Sequence, residues 1–297
     1  MSEVNSMGPS KIGRALFAEA LKNFNKDRFV LLFPFLAFVF NAMAFGGIVI
    51  FVVLTIPIWV TMGDNSAIYV TVLAVLMTIF AAFTHVIVQA SVMAAANQRY
   101  SGQTPTFSSA MKEVGQRLGT LSLFGLLEAT VGMVLRAIRD NLKGAGSLIS
   151  FIGGLAWAVA SYFAIPAILF EGLGPINAVR RSSEIIKTKW GSALRVNLFA
   201  GIAFLLAWII AVGGIFGGFY IALGDPNSYS EASLITGFSI SGVTILLAFA
   251  IGLVQSSVMS YACVAIYRYA VGKPLAGFDS SLMTNAFKLK KQKFSVI

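Results

Sequence analysis

Cysteine and histidine each occur once in the 297 residues, as Cys263 and His85. A lone cysteine excludes an intrachain disulfide, and one Cys with one His cannot build a common metal cage. Charged residues make up only 11% of the chain, with 12 acidic against 22 basic. No polar stretch is long enough for a separate soluble domain. No glycine loop of the phosphate-binding kind follows a strand. His85 and Ser91 point to different sides of one helix and do not suggest a hydrolase pair. No enzyme, cofactor or metal site is expected from this inventory. The residues before Phe29 hold no apolar core of the signal-peptide type, so cleavage there is not expected.

What the chain has in abundance is apolar sequence, 57% of residues. A helix crossing a bilayer needs about 20 mainly apolar residues, because the hydrocarbon core is about 30 Å thick. Six runs qualify: Phe29–Val60, Ala67–Ala96, Leu118–Ile138, Leu148–Phe170, Val196–Leu223 and Leu234–Tyr267. The strands of a membrane barrel would be about 10 residues long with alternating polarity, and no such pattern is present. The first and last runs exceed one straight span. Pro34, Pro57 and Gly46-Gly47 are the expected irregularities of the first, and the end of the last near Tyr267 is expected to project from the membrane.

The net charge of +10 is not the mark of a nucleic-acid binder, because it is sorted by loop. Basic residues precede the first run (Lys11, Arg14, Lys22, Lys26, Arg28), follow the second (Arg99, Lys112, Arg117), follow the fourth (Arg180, Arg181, Lys187, Lys189, Arg195) and follow the sixth (Arg268, Lys273, Lys288, Lys290, Lys291, Lys293). The alternate loops hold only Arg136, Arg139 and Lys143, which leaves 19 of the 22 basic residues on the other side. The positive-inside rule then places both termini in the cytoplasm of a multi-pass cell-membrane protein.

Pro9, Pro105, Pro175 and Pro274 each open a short basic amphipathic segment. Proline suits a first helical turn, where its missing N–H has no intrahelical partner. Thr104 is the expected N-cap of the second segment. Behind Pro105, Phe107, Ala110, Met111, Val114 and Leu118 share one helical face, opposite Ser108, Lys112, Glu113 and Gln116. Ile176, Val179, Ile186 and Trp190 form the corresponding stripe behind Pro175. Ile12, Leu16, Ala20 and Phe24 form it behind Pro9, and Leu282, Ala286 and Leu289 form a weaker one in the tail, with Asp279 as cap. Gly8-Pro9 leads to Leu32-Phe33 over the same distance as Gly174-Pro175 leads to Leu198-Phe199. Gln89-Ala-Ser-Val-Met matches Gln255-Ser-Ser-Val-Met, and an Arg-Tyr pair follows each (Arg99-Tyr100, Arg268-Tyr269). The expected fold is therefore all-α: a polytopic membrane helix bundle of six transmembrane helices with cytoplasmic amphipathic interfacial helices, one integral membrane domain over 1–297. It is expected to consist of three repeated units, about 8–104, 105–173 and 174–273, and a basic tail, 274–297.

Pro166-Ala-Ile-Leu-Phe-Glu171 running into Gly174-Pro175-Ile-Asn-Ala-Val-Arg-Arg-Ser182 resembles a family of uncharacterised six-span prokaryotic membrane proteins. More distantly, the plan is similar to the membrane-embedded domain fused to some bacterial glycerophosphodiester phosphodiesterases. The resemblance implies a cell-membrane location and no established activity. The sequence offers no stretch for a soluble phosphodiesterase domain, so that chemistry is not expected to carry over.

Polar residues inside the apolar runs are the candidate site. Glu128 sits near the middle of the third run, where an ionisable group is expensive and usually faces the bundle interior or a wet cavity. Counting at helical rise from the basic ends gives about 16 Å of depth for Glu128, about 18 Å for His85 and about 20 Å for Gln255. With Gln89, these residues would share one layer. Two readings stand: a proton- or solute-handling cluster, and a hydrogen-bonded clamp that fixes helix packing. At the end of the fourth run, Glu171 with Arg180 and Arg181 forms a candidate interfacial ion pair. Gly213-Gly214-Ile-Phe-Gly217-Gly218 suits either close internal packing or a dimer face. The basic helices suit membrane lipids, anionic ones included. The expected role is a non-enzymatic membrane component that organises lipid or partner proteins, with a small-solute or proton-coupled transporter using Glu128 as the alternative.

Overall fold

The computed structural model describes residues 9–62, 66–142, 144–223 and 230–276, with side chains for all of these except 9–16, 56–62, 66–67 and 188–203. The described chain is helical and contains no strand. Its helices are α1 (Pro9–Lys26), α2 (Leu32–Met62), α3 (Ser66–Tyr100), α4 (Phe107–Gly115), α5 (Leu118–Asn141), α6 (Gly146–Ser161), α7 (Ala164–Glu171), α8 (Pro175–Leu223) and α9 (Glu231–Ala270). Six helical stretches are long and apolar enough to cross a membrane: Arg28–Thr55, Ile68–Tyr100, Leu118–Asn141, Gly146–Glu171, Phe204–Leu223 and Glu231–Ala270. Large apolar side chains of these stretches point outward, among them Phe40, Leu54, Phe151, Ile210 and Leu246, each more than half exposed. An apolar exterior of this extent is the surface of a multi-pass membrane protein, whose solvent is lipid.

The chain forms two compact units. The larger holds Asp27–Trp190 and the residues from Cys263 to the end of the described chain. The smaller holds the described parts of Met1–Lys26 and Gly191–Ala262. Two of the three sequence units, 8–104 and 174–273, run across this division, whereas 105–173 lies within the larger unit.

In the larger unit α3 is central and packs against α2, α4, α5 and α7. Its buried face is built from small residues, Ala90, Ser91, Ala94, Ala95 and Ala96, which let neighbouring backbones approach where no hydrophobic effect drives association. Gly125 of α5 rests against the backbone of Ala82 and Phe83. In the smaller unit α8 and α9 cross closely: a Cβ on Gly218 would lie 2.6 Å from the Gly237 carbonyl oxygen and would also collide with Ser241 Oγ. Ser241 Oγ donates to the Ile215 carbonyl at 3.0 Å. Gly214 faces Thr244 in the same seam, while Gly213 and Gly217 meet nothing within 4 Å. Only alternate glycines of the pattern are used internally.

Several expectations are corrected. The helix behind Pro105 starts at Phe107, and its cap is Thr106 rather than Thr104. Thr106 is extended, its Oγ1 accepts the Ser109 N–H at 3.1 Å, and Ser109 Oγ accepts the Thr106 N–H at 3.0 Å. That reciprocal box needs a residue beyond Pro105. The segment behind Pro175 is not a separate helix: α8 runs unbroken for 49 residues into the fifth span. The first span is not interrupted at Gly46-Gly47 or Pro57. Pro34 lies in the first turn of α2, after a 3-10 turn at Arg28–Leu31, where no intrahelical bond is lost. The end of α9 is packed against protein. Tyr261 to Arg268 are buried, and the Tyr267 ring lies 5.9 Å from those of Phe163 and Phe170. The tail stripe of Leu282, Ala286 and Leu289 lies outside the described residues.

The fourth span breaks into α6 and α7 at Tyr162-Phe163. Pro166 is the cause: it has no N–H for the Tyr162 carbonyl four residues back, and its ring crowds that carbonyl. Inside a membrane the freed groups need protein partners. Cys263 Sγ donates to the Tyr162 carbonyl at 3.4 Å, and Ser182 Oγ accepts the Phe163 N–H at 2.9 Å. The lone cysteine therefore does more than fill space.

Three helix ends are alike. Gly102, Gly172 and Gly272 have φ of +81°, +71° and +75°. Past them the N–H of Gln103, Leu173 and Lys273 reaches back to the carbonyls of Gln98, Ala167 and Arg268 at 3.0, 3.4 and 2.8 Å. This is the glycine-terminated stop that satisfies the last carbonyls of a helix. Each stop is followed within three residues by Pro105, Pro175 or Pro274.

Candidate functional site

Within the larger unit, His85 and Glu128 stand at different depths. His85 Nε2 and Gln89 Nε2 are 2.9 Å apart, one turn along α3. The Gln89 amide donates when the ring proton sits on Nδ1. Glu128, half-buried on α5, makes no hydrogen bond or ion pair among the described residues. The contact of Gly125 with Ala82 and Phe83 sets the register of the antiparallel pair. It brings Glu128 level with Ile79-Phe80, about 8 Å along the axis from His85. The estimate of common depth failed because α4 folds back along the end of α3. Ser91 Oγ lies 3.5 Å from Met111 Sδ, and Gln98 meets both Ser109 and Glu113. Consequently α5 starts level with Gln89-Ala90 and not with Asn97. Gln255, in the smaller unit, accepts from the Trp208 indole N–H at 2.7 Å. A further polar contact escaped the sequence reading: Asn41 of α2 and Thr84 of α3 are joined at 3.2 Å.

A second polar arrangement lies at the end of α7. Glu171 accepts from Arg181 Nε at 3.0 and 3.2 Å and from Arg181 Nη2 at 3.3 Å. It also accepts from the Tyr267 hydroxyl at 2.6 Å. Arg181 is thus the partner of Glu171, whereas Arg180 is exposed and has no ion pair among the described residues. Arg117 lies against Gly172, its Nη2 being 2.8 Å from where a Cβ would stand.

Three successive residues at the end of α3 each hold a different segment of the larger unit. Asn97 Oδ1 accepts from Arg268 Nη1 at 2.6 Å, and the same guanidinium binds the Pro274 carbonyl at 2.7 and 3.0 Å. Gln98 donates to Glu113 at 3.0 Å and accepts from Ser109 at 2.7 Å. Burial pushes the Glu113 carboxyl above its ordinary pKa, an effect that its hydrogen bonds with Gln98 and Asn97 reduce. Arg99 forms a two-bond pair with Asp27, with Nε 2.8 Å from Oδ2. Asp27 is 2% exposed. No group of three or more His, Cys, Asp or Glu side chains is placed to hold a metal among the described residues.

The chain belongs to a family of unknown function, DUF6159. The family model matches residues 67–278, from the start of α3 to just past the Arg268–Pro274 contact. The part of α1 and α2 that precedes it is outside the match. No curated protein matches the chain.

Proposed function

We propose that this DUF6159 member is a non-enzymatic cell-membrane protein with both termini in the cytoplasm, and that it organises anionic lipid, or protein partners, through basic amphipathic segments. The observation that carries the reading is on α4. Phe107 and Met111 remain exposed beside exposed Lys112, while Ala110 and Val114 pack inward. An apolar edge flanked by cations suits a helix lying at the lipid headgroups. Ile176, 71% exposed beside Asn177 and Arg180 at the start of α8, repeats that pairing. The three-unit plan is supported by the recurring glycine stops and the prolines behind them. A distant likeness to the membrane domain of glycerophosphodiester phosphodiesterases is part of this reading; it would suit the location and supplies no catalytic residue. To test the lipid claim, the full-length chain is reconstituted in mixed phosphatidylglycerol and phosphatidylcholine, extracted mildly, and its retained lipids weighed by native mass spectrometry. Enrichment of phosphatidylglycerol is expected; equal retention of both lipids removes the lipid part of the reading.

The second reading, transport, has one observation in its favour: Glu128 stands in mid-span without a described partner, which suits a solute or proton better than a clamp. Proteoliposome flux of small solutes or protons tests it. Under this reading Glu128→Gln abolishes flux and leaves the fold intact, and an unchanged flux ends it.

A further inference from the structure

Around the last turn of α7 the larger unit gathers three cations, Arg117, Arg181 and Lys273, against two carboxylates, Glu171 and Glu184, the second of which lies 3.9 Å from Arg181 Nη1. Glu171 is bound by Arg181, and Lys273 also acts on it through its charge. Arg117 covers the next residue: a Cβ on Gly172 would lie 2.8 Å from Nη2, 3.1 Å from Cζ and 3.2 Å from Nη1. Three such similar distances describe a guanidinium lying flat over the glycine. Among the described residues the Arg117 side chain has no ion-pair or hydrogen-bond partner, so the donor edge of that plane is open. A planar guanidinium with a free edge is matched to a phosphate group.

The position of the turn narrows the source of that phosphate. Arg117 immediately precedes the span formed by α5, and Gly172 immediately follows the span formed by α6 and α7. Both therefore lie where spans leave the apolar layer. Leu118, next to Arg117, is 44% exposed, and Ile176 is 71% exposed. A soluble anion has no use for these apolar neighbours, whereas acyl chains below a headgroup do.

We propose that the Arg117–Gly172 turn is the headgroup site of an anionic phospholipid, with Arg117 holding the phosphate, Lys273 adding a second cation, and Leu118 and Ile176 meeting the acyl chains. The site rests on the lipid-organising reading above and gives it an address. Gly172 has a double role there: it adopts the left-handed turn, and its missing side chain leaves the bed on which the guanidinium lies.

The test uses the full-length chain in nanodiscs of equal phosphatidylglycerol and phosphatidylcholine, with retained lipids counted by native mass spectrometry. Arg117→Gln is expected to lower the phosphatidylglycerol-to-phosphatidylcholine ratio about fivefold, the size expected of one basic residue at a membrane surface. Arg139→Gln, which removes the same charge from the far end of α5 where Arg139 pairs with Asp140, is expected to leave the ratio unchanged. Millimolar inorganic phosphate is expected to leave it unchanged too. The Arg117 side chain makes no cap bond to α5, so helix content by circular dichroism stays at the wild-type value. A wild-type preference that Arg117→Gln does not alter overturns the site and spares the broader reading. A preference erased by inorganic phosphate assigns the turn to a soluble anion and overturns the site as well. No preference in the wild type overturns both.

Discussion

The hydroxyl of Ser182 accepts the backbone N–H of Phe163 at 2.9 Å, across 19 residues of sequence. Both groups are buried, and the N–H is one that the break between α6 and α7 has released. Ser182→Ala strands it, at an expected cost of about 1–3 kcal/mol. Cys263→Ala removes only a weak thiol donor and is expected to cost less. Thermal unfolding of both variants in detergent checks the order, and a larger loss at Cys263 contradicts this account of the break.

Asp27 and Arg99 are coupled by burial. Asp27→Ala takes this carboxylate from the Arg99 guanidinium, and about 3–5 kcal/mol of stability is expected to go with it. The double variant Asp27→Ala with Arg99→Ala is expected to lose clearly less than the sum of the two single variants. A double-mutant cycle in detergent measures the difference. Additive losses would mean that the pair is not coupled.

The two glycine faces of α8 separate cleanly. Gly218→Ala forces a methyl into the Gly237 backbone and Ser241, and a loss of about 1–3 kcal/mol is expected. Gly213→Ala adds its methyl to open space and is expected to be neutral or slightly stabilising, since alanine is the better helix former. Comparable losses at the two positions would place a partner on the Gly213 face.

The buried Glu113 sets a pH dependence. Its folded pKa is above the ordinary value, so the folded state holds the proton more tightly than the unfolded one. Stability then falls as pH rises from the ordinary carboxyl range through the raised value, and the penalty persists at neutral pH. Glu113→Gln keeps an acceptor for Gln98 and loses the charge. It is expected to be at least as stable as wild type at pH 7 and to lose that part of the slope, as melting curves between pH 4 and pH 8 will show.

Topology is checked with single cysteines at Ser108 and Ser147, both exposed. Cys263 is buried and need not be replaced. In right-side-out membrane vesicles an impermeant maleimide is expected to label Ser147→Cys and not Ser108→Cys, as the charge asymmetry requires. The reverse pattern would invert the orientation.

The spans were readable because a run of about 20 apolar residues has few alternatives, and the helix stops because glycine and proline act locally. What stayed hidden depends on residues distant in sequence. Pro166 sits in an unbroken apolar run, and the atoms that make its break tolerable come from Ser182 and Cys263. The pairing of Asp27 with Arg99, 72 residues apart, has no local signal. Depth counts for Glu128 and His85 failed for a related reason: they assumed that each span begins at its nearest charge, and α4 shifts the start of α5 along α3. Within the pattern of paired glycines, nothing in the spacing says which pair faces a neighbour.

The glycine stops at Gly102 and Gly172 close within seven consecutive residues, so they are complete as soon as the chain around them has been made. Spans two and four can enter the bilayer with finished ends before any helix has found a neighbour. The interior break of span four is different. Its open carbonyl at Tyr162 waits for Cys263, 101 residues later. Until the sixth span arrives, that carbonyl has no thiol to bind, which makes the arrival of the last helix the event that seals the fourth.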